Sequence, residues 1–268
     1  MALANTCSEG RFKALIITAP GINCDLELGH AFELVGCTVI SAHLSEVIRN
    51  PKIISQSDFI GMPGGFSYGD AIGAGRIVAH LIKKHLLNYF KDALNDFTPM
   101  IAPCNGFQVC LQAGLLGEIE DGCPLASLIS NTSGKFIDSW SPLIFPKTNC
   151  VWTQFMSEET DGMYLLPIAH GEGRFVASKK EINYLKNNNL IPVKYLKDTN
   201  PNGSIEEVAG LCDDTGCLLG LMPHPERFLR WNSHPWSAKI GDESKNYTPL
   251  GLQFFESAMS FVRDKKIK

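Results

Sequence analysis

Short apolar runs alternate with amphipathic stretches from Phe12 to Ala102, and few architectures accept that rhythm. Phe12 to Thr18 reads as a strand closed by Pro20-Gly21, and Leu28, Phe32 and Val35 then recur at helical spacing up to Gly36. Thr38 to Ala42 and Phe59 to Met62 read as strands. Arg76 to Phe90 reads as one helix with Ile77, Val78, Leu81, Ile82 and His85 on a single face, followed by a strand over Pro99 to Ala102. Strands that alternate with helices imply right-handed crossovers, hence an α/β fold built on an open, largely parallel sheet with helices on both faces.

After Gly117 the texture changes. Between Asp121 and Leu166 short extended runs, Cys150 to Phe155 among them, are separated by Pro, Gly, Asn and Ser, which predicts antiparallel strands added to the sheet. Lys194 to Ser204 is turn-rich and Leu218 to Met222 returns to a buried strand. A last helix carries Leu252, Phe255, Met259 and Val262 on one stripe, with a solvated Lys265-Lys266 tail beyond it. No repeat, low-complexity tract or linker divides the chain, so residues 1–268 read as a single domain with a loose tail over 1–11.

Composition narrows the function classes. The chain is 44% apolar and 19% charged, enough to bury a substantial core, and its net charge of −4 leaves no basic stripe to neutralise phosphates. Nucleic acid is excluded as a partner. The nine cysteines lie mostly in apolar segments without C-x-x-C pairing, which favours reduced thiols over disulfides or a zinc site, so no metal is expected. Met1 to Phe12 has no secretory pattern, and the longest uncharged stretch, Phe97 to Gly117, carries Pro103, Asn105, Gln108 and Gln112. Those groups would be left bare in lipid, so neither a membrane nor export is expected, and the chain reads as cytoplasmic.

Four segments carry candidate chemistry. Cys104 sits where the strand ending at Ala102 meets a helix over Phe107 to Leu116, and Ala102 and Gly106 put small residues at −2 and +2. That is the layout of a nucleophile elbow, and a thiol at a helix start has N–H groups and the helix dipole to favour its thiolate. The alternative for Cys104 is a buried structural cysteine. Cys24, in Pro20-Gly21-Ile22-Asn23-Cys24-Asp25, also follows a strand, but Asp25 reads as a plain helix cap and Cys24 ranks below Cys104. The second segment is Pro223-His224-Pro225-Glu226: if extended, it projects His224 and Glu226 to one side, a base with its orienting carboxylate. A proline-broken surface turn is the competing account, and is the reading adopted for His234-Pro235. Third, Gly64 and Gly65 in Pro63-Gly64-Gly65-Phe66-Ser67-Tyr68-Gly69-Asp70 free backbone N–H groups for an oxyanion, while Asp70 reads as a cap. Neither a phosphate loop nor a dinucleotide fingerprint is present. Fourth, Ala169-His170-Gly171-Glu172-Gly173-Arg174 reads either as a loop gripping an amino acid's α-groups or as a solvated hairpin tip.

Ala102-Pro103-Cys104-Asn105-Gly106-Phe107-Gln108 resembles the G-x-C-N-G-x-Q elbow of class I glutamine amidotransferases, and Gly220 to Arg227 resembles their H-x-E element. Pro20 to Asp25, Gly64 to Asp70, His170 to Gly173 and Asn200 to Ser204 look like the narrower family of glutaminase components of phosphoribosylformylglycinamidine (FGAM) synthases. The resemblance implies a flavodoxin-like glutaminase with Cys104 as nucleophile, His224 as proton carrier, Glu226 as its orienter, and Gly65 and Asn105 N–H groups as the oxyanion hole. It also implies glutamine contacts from Gly64, Gln108, His170, Gly171 and Glu172. Ammonia would pass to a separate synthetase subunit, with or without a small bridging subunit, and that partner would bind ATP and magnesium; no cofactor is implied in this chain. Ala102 and Pro103 depart from the Gly and branched residue usual at those places, and the segments 121–162 and 231–247 are extra length that would mould a partner interface. A stand-alone cysteine hydrolase and a non-catalytic scaffold are the rival readings.

Overall fold

The structure is a computed structural model and describes residues 12–117, 124–156, 164–239 and 247–267. The tail at 1–11 and parts of the 121–162 and 231–247 segments lie outside the described residues. The first half of the chain runs β1 (Phe12–Thr18), α1 (Asp25–Leu34), β2 (Cys37–His43), the short α2 (Leu44–Arg49) and α3 (Lys52–Ser55), and β3 (Phe59–Gly61). It continues through α4 (Arg76–His85), α5 (Leu87–Asn95), β4 (Met100–Pro103) and α6 (Asn105–Ala113). The second half holds β5 (Ser127–Ile129), β6 (Ile137–Ile144), β7 (Leu165–His170), β8 (Arg174–Val176) and α7 (Lys179–Asn187), then β9 (Val193–Tyr195), β10 (Val208–Cys212), β11 (Leu218–Leu221) and α8 (Leu250–Ile267).

Nine strands form one sheet in the order β2-β1-β3-β4-β11-β10-β9-β6-β7, and β5 pairs with β8 apart from it. The five strands from β2 to β11 are parallel, and β10, β9, β6 and β7 continue the sheet antiparallel. The parallel half has the flavodoxin-like order, in which the chain leaves β1 first to one side and then to the other. Its inner strands β1, β3, β4 and β11 are largely apolar because helices cover both faces: Leu15, Ile60, Met100, Ile101 and Leu219 are fully buried, whereas the edge strand β2 is only part-buried. Each such side chain contributes about 1.5–3 kcal/mol on burial. An aromatic cluster ties α1, β3 and α8 together, with the Phe32 ring 5.6 Å from Phe59 and 5.2 Å from Phe255.

Four expectations about elements need correction. The helix read over Arg76 to Phe90 is two, because Leu86 (φ −128°, ψ −7°) leaves helical geometry. The break turns Leu86, Phe90 and Leu94 into the core and leaves His85, expected on the apolar face, exposed. Cys150 to Phe155 is a series of turns and not a strand; it drives Trp152 into the core, where the indole N–H donates to the Cys217 carbonyl at 2.8 Å. Lys265 and Lys266 are not a tail. They lie within α8, where Lys266 pairs with Asp58 at 2.6 Å and covers the Phe12 ring. His234 is no incidental surface histidine either: it is buried among Trp140, Phe228, Trp231 and Trp236.

Candidate active site

β4 ends at Pro103 and α6 begins at Asn105, so Cys104 alone turns the chain from strand to helix. It does so at φ 51° and ψ −109°, a conformation that costs a side-chain-bearing residue about 1–3 kcal/mol and persists only where the surroundings enforce it. The enforcing contacts are visible. The Cys104 N–H donates to the Leu221 carbonyl at the end of β11 at 2.7 Å, and a Cβ on Gly106 would stand 2.1 Å from the Met62 carbonyl oxygen. Only glycine lets α6 start this close to the end of β3. Ala102, in place of the usual glycine, is fully buried in β4 without disturbing the turn.

The glycine pair follows β3. Gly65 has φ +142°, and the loop is laced to the β1 turn by the Phe66 N–H on the Gly21 carbonyl (2.9 Å) and by the Gly64 carbonyl accepting from Asn23 and Cys24 (3.3 Å each). Across from it, the N–H groups of Asn105 and Gly106 open α6 and have no acceptor within the helix. The Asn105 side chain joins the two parts. Its Oδ1 accepts from the Ser67 N–H (3.3 Å), its Nδ2 donates to Gln108 Oε1 (2.9 Å), and Gln108 Nε2 donates to the Glu172 carbonyl (2.7 Å). Elbow, glycine loop and His170 loop are therefore linked by one chain of hydrogen bonds. Sequence reasoning gave Asn105 only a backbone role; the i,i+3 spacing to Gln108 on a helix was the signal for the rest.

His224 and Glu226 meet, though not through an extended segment. His224 caps a 3₁₀ turn over Pro225–Arg227, its N–H held by the Pro167 carbonyl (2.8 Å), and the turn brings Nδ1 to Glu226 Oε1 at 2.7 Å. Both residues are 2% exposed. Burial opposes charging the imidazole, but the Glu226 carboxylate and the Cys104 and Cys24 sulfurs beside the ring outweigh it, holding His224 well above its ordinary range. Such a ring readily takes a proton from a thiol. His224 Nε2 is buried with no hydrogen-bond partner, and the Cys104 thiol lies 3.6 Å from the Ala169 carbonyl.

His170 sits next to this pair and is kept neutral. Burial, then repulsion from His224, lowers it to about 4. Its Nδ1 faces Asn131 Oδ1 at 3.1 Å, an oxygen that only accepts, so Nδ1 carries the proton and Nε2 is a bare acceptor, buried and unpartnered. Asn131 also donates to the His170 and Lys135 carbonyls and accepts from Gly173 N–H, while its own N–H donates to the Gly171 carbonyl. No local pattern had marked Asn131. Glu172 turns its side chain outward and offers the site only its carbonyl. Asp70 accepts from the Gly75 N–H, and its carboxyl is raised by burial and by Glu172. Cys24, and not Asp25, is the residue at the cap of α1, and its sulfur reaches the site: Arg227 Nη2 donates to it at 3.0 Å.

The model of the CobB/CobQ-like glutamine amidotransferase domain matches residues 11–262. The chain is similar to the "Phosphoribosylformylglycinamidine synthase subunit PurQ" of Dehalococcoides mccartyi, 36% identical over 266 residues covering 94% of this chain and 98% of that protein. The protein of the same name from Treponema denticola is 34% identical, covering 93% and 98%. Among solved structures it is similar to a chain of "PurLQS from Thermotoga maritima", with a TM-score of 0.70, 28% identity and coverage of 93% and 98%. The glutaminase domain of Trypanosoma brucei CTPS, 13% identical with a TM-score of 0.53 and coverage of 93% and 94%, shares the fold.

Proposed function

The chain belongs to the glutamine amidotransferase family, and from that premise we propose that it is the glutaminase subunit of phosphoribosylformylglycinamidine synthase, an enzyme that uses glutamine as nitrogen donor in purine biosynthesis. The observation that carries the reading is the strained Cys104 facing a buried His224–Glu226 pair, in a chain similar over 94% of its length to a subunit of that enzyme.

The chemistry follows from the geometry. His224 Nε2 takes the Cys104 thiol proton as the sulfur adds to the side-chain amide carbon of glutamine, while Glu226 holds Nδ1 and stabilises the imidazolium. The oxyanion is met by the N–H groups of Gly65 and Asn105, fixed before substrate arrives by the Ser67–Asn105–Gln108 chain. His224 returns the proton to the departing nitrogen, ammonia leaves and a glutamyl thioester remains. Water, deprotonated by the same imidazole, then cleaves the thioester to glutamate and restores the thiol. His170 Nε2, neutral and unpartnered, accepts from the substrate's α-ammonium, and Gln108 with the 171–172 backbone shapes that end of the pocket.

Ammonia passes to an ATP- and magnesium-dependent synthetase that converts formylglycinamide ribonucleotide to FGAM; a small bridging subunit is supported by the similarity to a chain of PurLQS from Thermotoga maritima. A cytoplasmic location is supported by free thiols at the seven cysteines among the described residues, and among those residues no helix is long and apolar enough to cross a membrane. The test is reconstitution with the synthetase. Cys104→Ala abolishes glutamine-dependent FGAM formation and leaves the ammonia-fed reaction intact. Glutamate release undiminished in that variant, or peptide turnover with glutamine inert, refutes the reading. Failure of a glutamine analogue to alkylate Cys104 in the complex would leave only the scaffold reading.

A further inference from the structure

Cys24 has no part in the reaction just described, yet its sulfur stands beside the pair that drives it. Cys24 Sγ, a ring nitrogen of His224 and a carboxylate oxygen of Glu226 all lie within 4.8 Å of one another, and all three residues are buried. The Cys24 N–H donates to the Gly64 carbonyl at 3.3 Å and its thiol donates to Asn23 Oδ1 at 3.3 Å, while the sulfur accepts from Arg227 Nη2 at 3.0 Å. Glu226, by contrast, uses one oxygen on His224 Nδ1 at 2.7 Å, and the other, Oε2, is buried with no hydrogen-bond partner. A bare carboxylate oxygen next in sequence to a guanidinium calls for a reason, because a buried carboxylate gains most from a two-pronged bond to arginine. Room for that bond exists: Glu226 and Arg227 line one cavity of about 370 Å³ together with Glu27 and Arg230. The bond to Cys24 is what the guanidinium makes instead.

We infer that Cys24 is a positioning residue: by holding the Arg227 guanidinium off Glu226, it keeps the carboxylate's charge directed at His224. A carboxylate with a single partner gives that partner its full stabilisation, whereas one shared with a guanidinium is partly neutralised and supports an imidazolium less. The groups around the ring are Cys104 from the elbow, His170 from β7, Cys24 from the cap of α1 and Glu226 from its own turn, with Arg227 and Glu27 beyond them. Of these, Arg227 alone is always cationic, so its placement decides how basic the ring is. His224 stays well above its ordinary range although burial opposes it. With Arg227 on Glu226 it would fall, and the ring would take the thiol proton less readily. The consequence for turnover rests on the proposed function, but the placement of Arg227 and the basicity of His224 do not.

The experiment follows the His224 ring by nuclear magnetic resonance in the reduced full-length chain, with isotope-labelled histidine and a His224→Gln variant for assignment. Cys24→Ala, and Cys24→Val as a second variant that fills the space without offering a lone pair, should lower the pH at which His224 titrates by at least about one unit, a tenfold loss of basicity. Cys24→Ser still accepts from Arg227 and should stay near the parent. Adding Arg227→Met to Cys24→Ala should return the midpoint most of the way, which a merely structural role for Cys24 would not do. In the reconstituted complex Cys24→Ala and Cys24→Val should lose about tenfold in kcat for glutamine with KM nearly unchanged, and the double variant should regain it. A His224 midpoint equal to the parent's in the folded Cys24→Ala and Cys24→Val proteins, or no recovery on removing Arg227, overturns the inference, and kcat unmoved while the midpoint falls overturns its bearing on catalysis. The titration is read without turnover, so a chain that failed to hydrolyse glutamine would refute the proposed function and leave this test standing.

Discussion

Acidification and the substitution His170→Gln together probe how the site stores electrostatic energy. An unfolded chain protonates His170 near the ordinary value of 6.5, whereas the folded protein does so only at about 4, because burial and the neighbouring His224 disfavour the charged ring. The folded value is depressed, so the unfolded state binds more protons between the two values and stability falls with pH. The contribution is fully present above pH 6.5 and is lost progressively down to about 4. At 1.36 kcal/mol per pH unit, the gap of about 2.5 units amounts to about 3 kcal/mol. That is a large share of the roughly 5–15 kcal/mol that holds a domain together. The assay is urea unfolding of both proteins at several values from about pH 7.5 to 4, with free energies extrapolated to water. Titrating groups remote from His170 act in both proteins and cancel in the difference, while the His170–His224 repulsion belongs to the effect being measured. His170→Gln should lose markedly less stability over this range than the parent. Parallel curves would refute the burial argument, since they would mean that His170 protonates equally in both states.

Further tests address the geometry. Glu226→Gln should lower kcat/KM for glutamine by about 10³- to 10⁴-fold with little change in KM, because the amide no longer fixes the His224 tautomer or balances its charge; a loss below tenfold would show that the carboxylate is not the orienter. Gly106→Ala places a methyl group 2.1 Å from the Met62 carbonyl and should cost about 1–3 kcal/mol on thermal or urea unfolding while abolishing glutamate release. Gln108→Leu breaks the bond to the Glu172 carbonyl and should raise KM for glutamine about fivefold while kcat changes less; steady-state kinetics decide.

The parts of the fold legible in the sequence were those with a short-range cause. The strands β1, β3, β4 and β11 announce themselves because a parallel strand covered on both faces must be largely apolar, and the elbow does so because a strained turn excludes bulk at 102 and 106. The break at Leu86 carries neither glycine nor proline and is imposed by what the core needs from Phe90 and Leu94. Cys150 to Phe155 has the composition of a strand but is bent by the cavity that Trp152 fills. His224 and Glu226 were paired correctly from their spacing, yet by a 3₁₀ turn where an extended segment was expected. Asn131 and the Arg227–Cys24 contact join residues far apart in the chain, and no local pattern records such meetings.

The last helix has a bearing on when the protein first works. A side chain at Gly251 would run into the Pro225 and Phe228 carbonyls, so α8 lies directly on the turn that presents His224 and Glu226. In chain order Cys104 comes first, the His224 turn much later, and α8, which braces that turn, after it. Until α8 docks, the turn that carries His224 and Glu226 therefore lacks the surface against which it is set. Removing α8 should take away both that brace and the Phe254 and Phe255 packing of the core, so thermal stability should fall together with turnover.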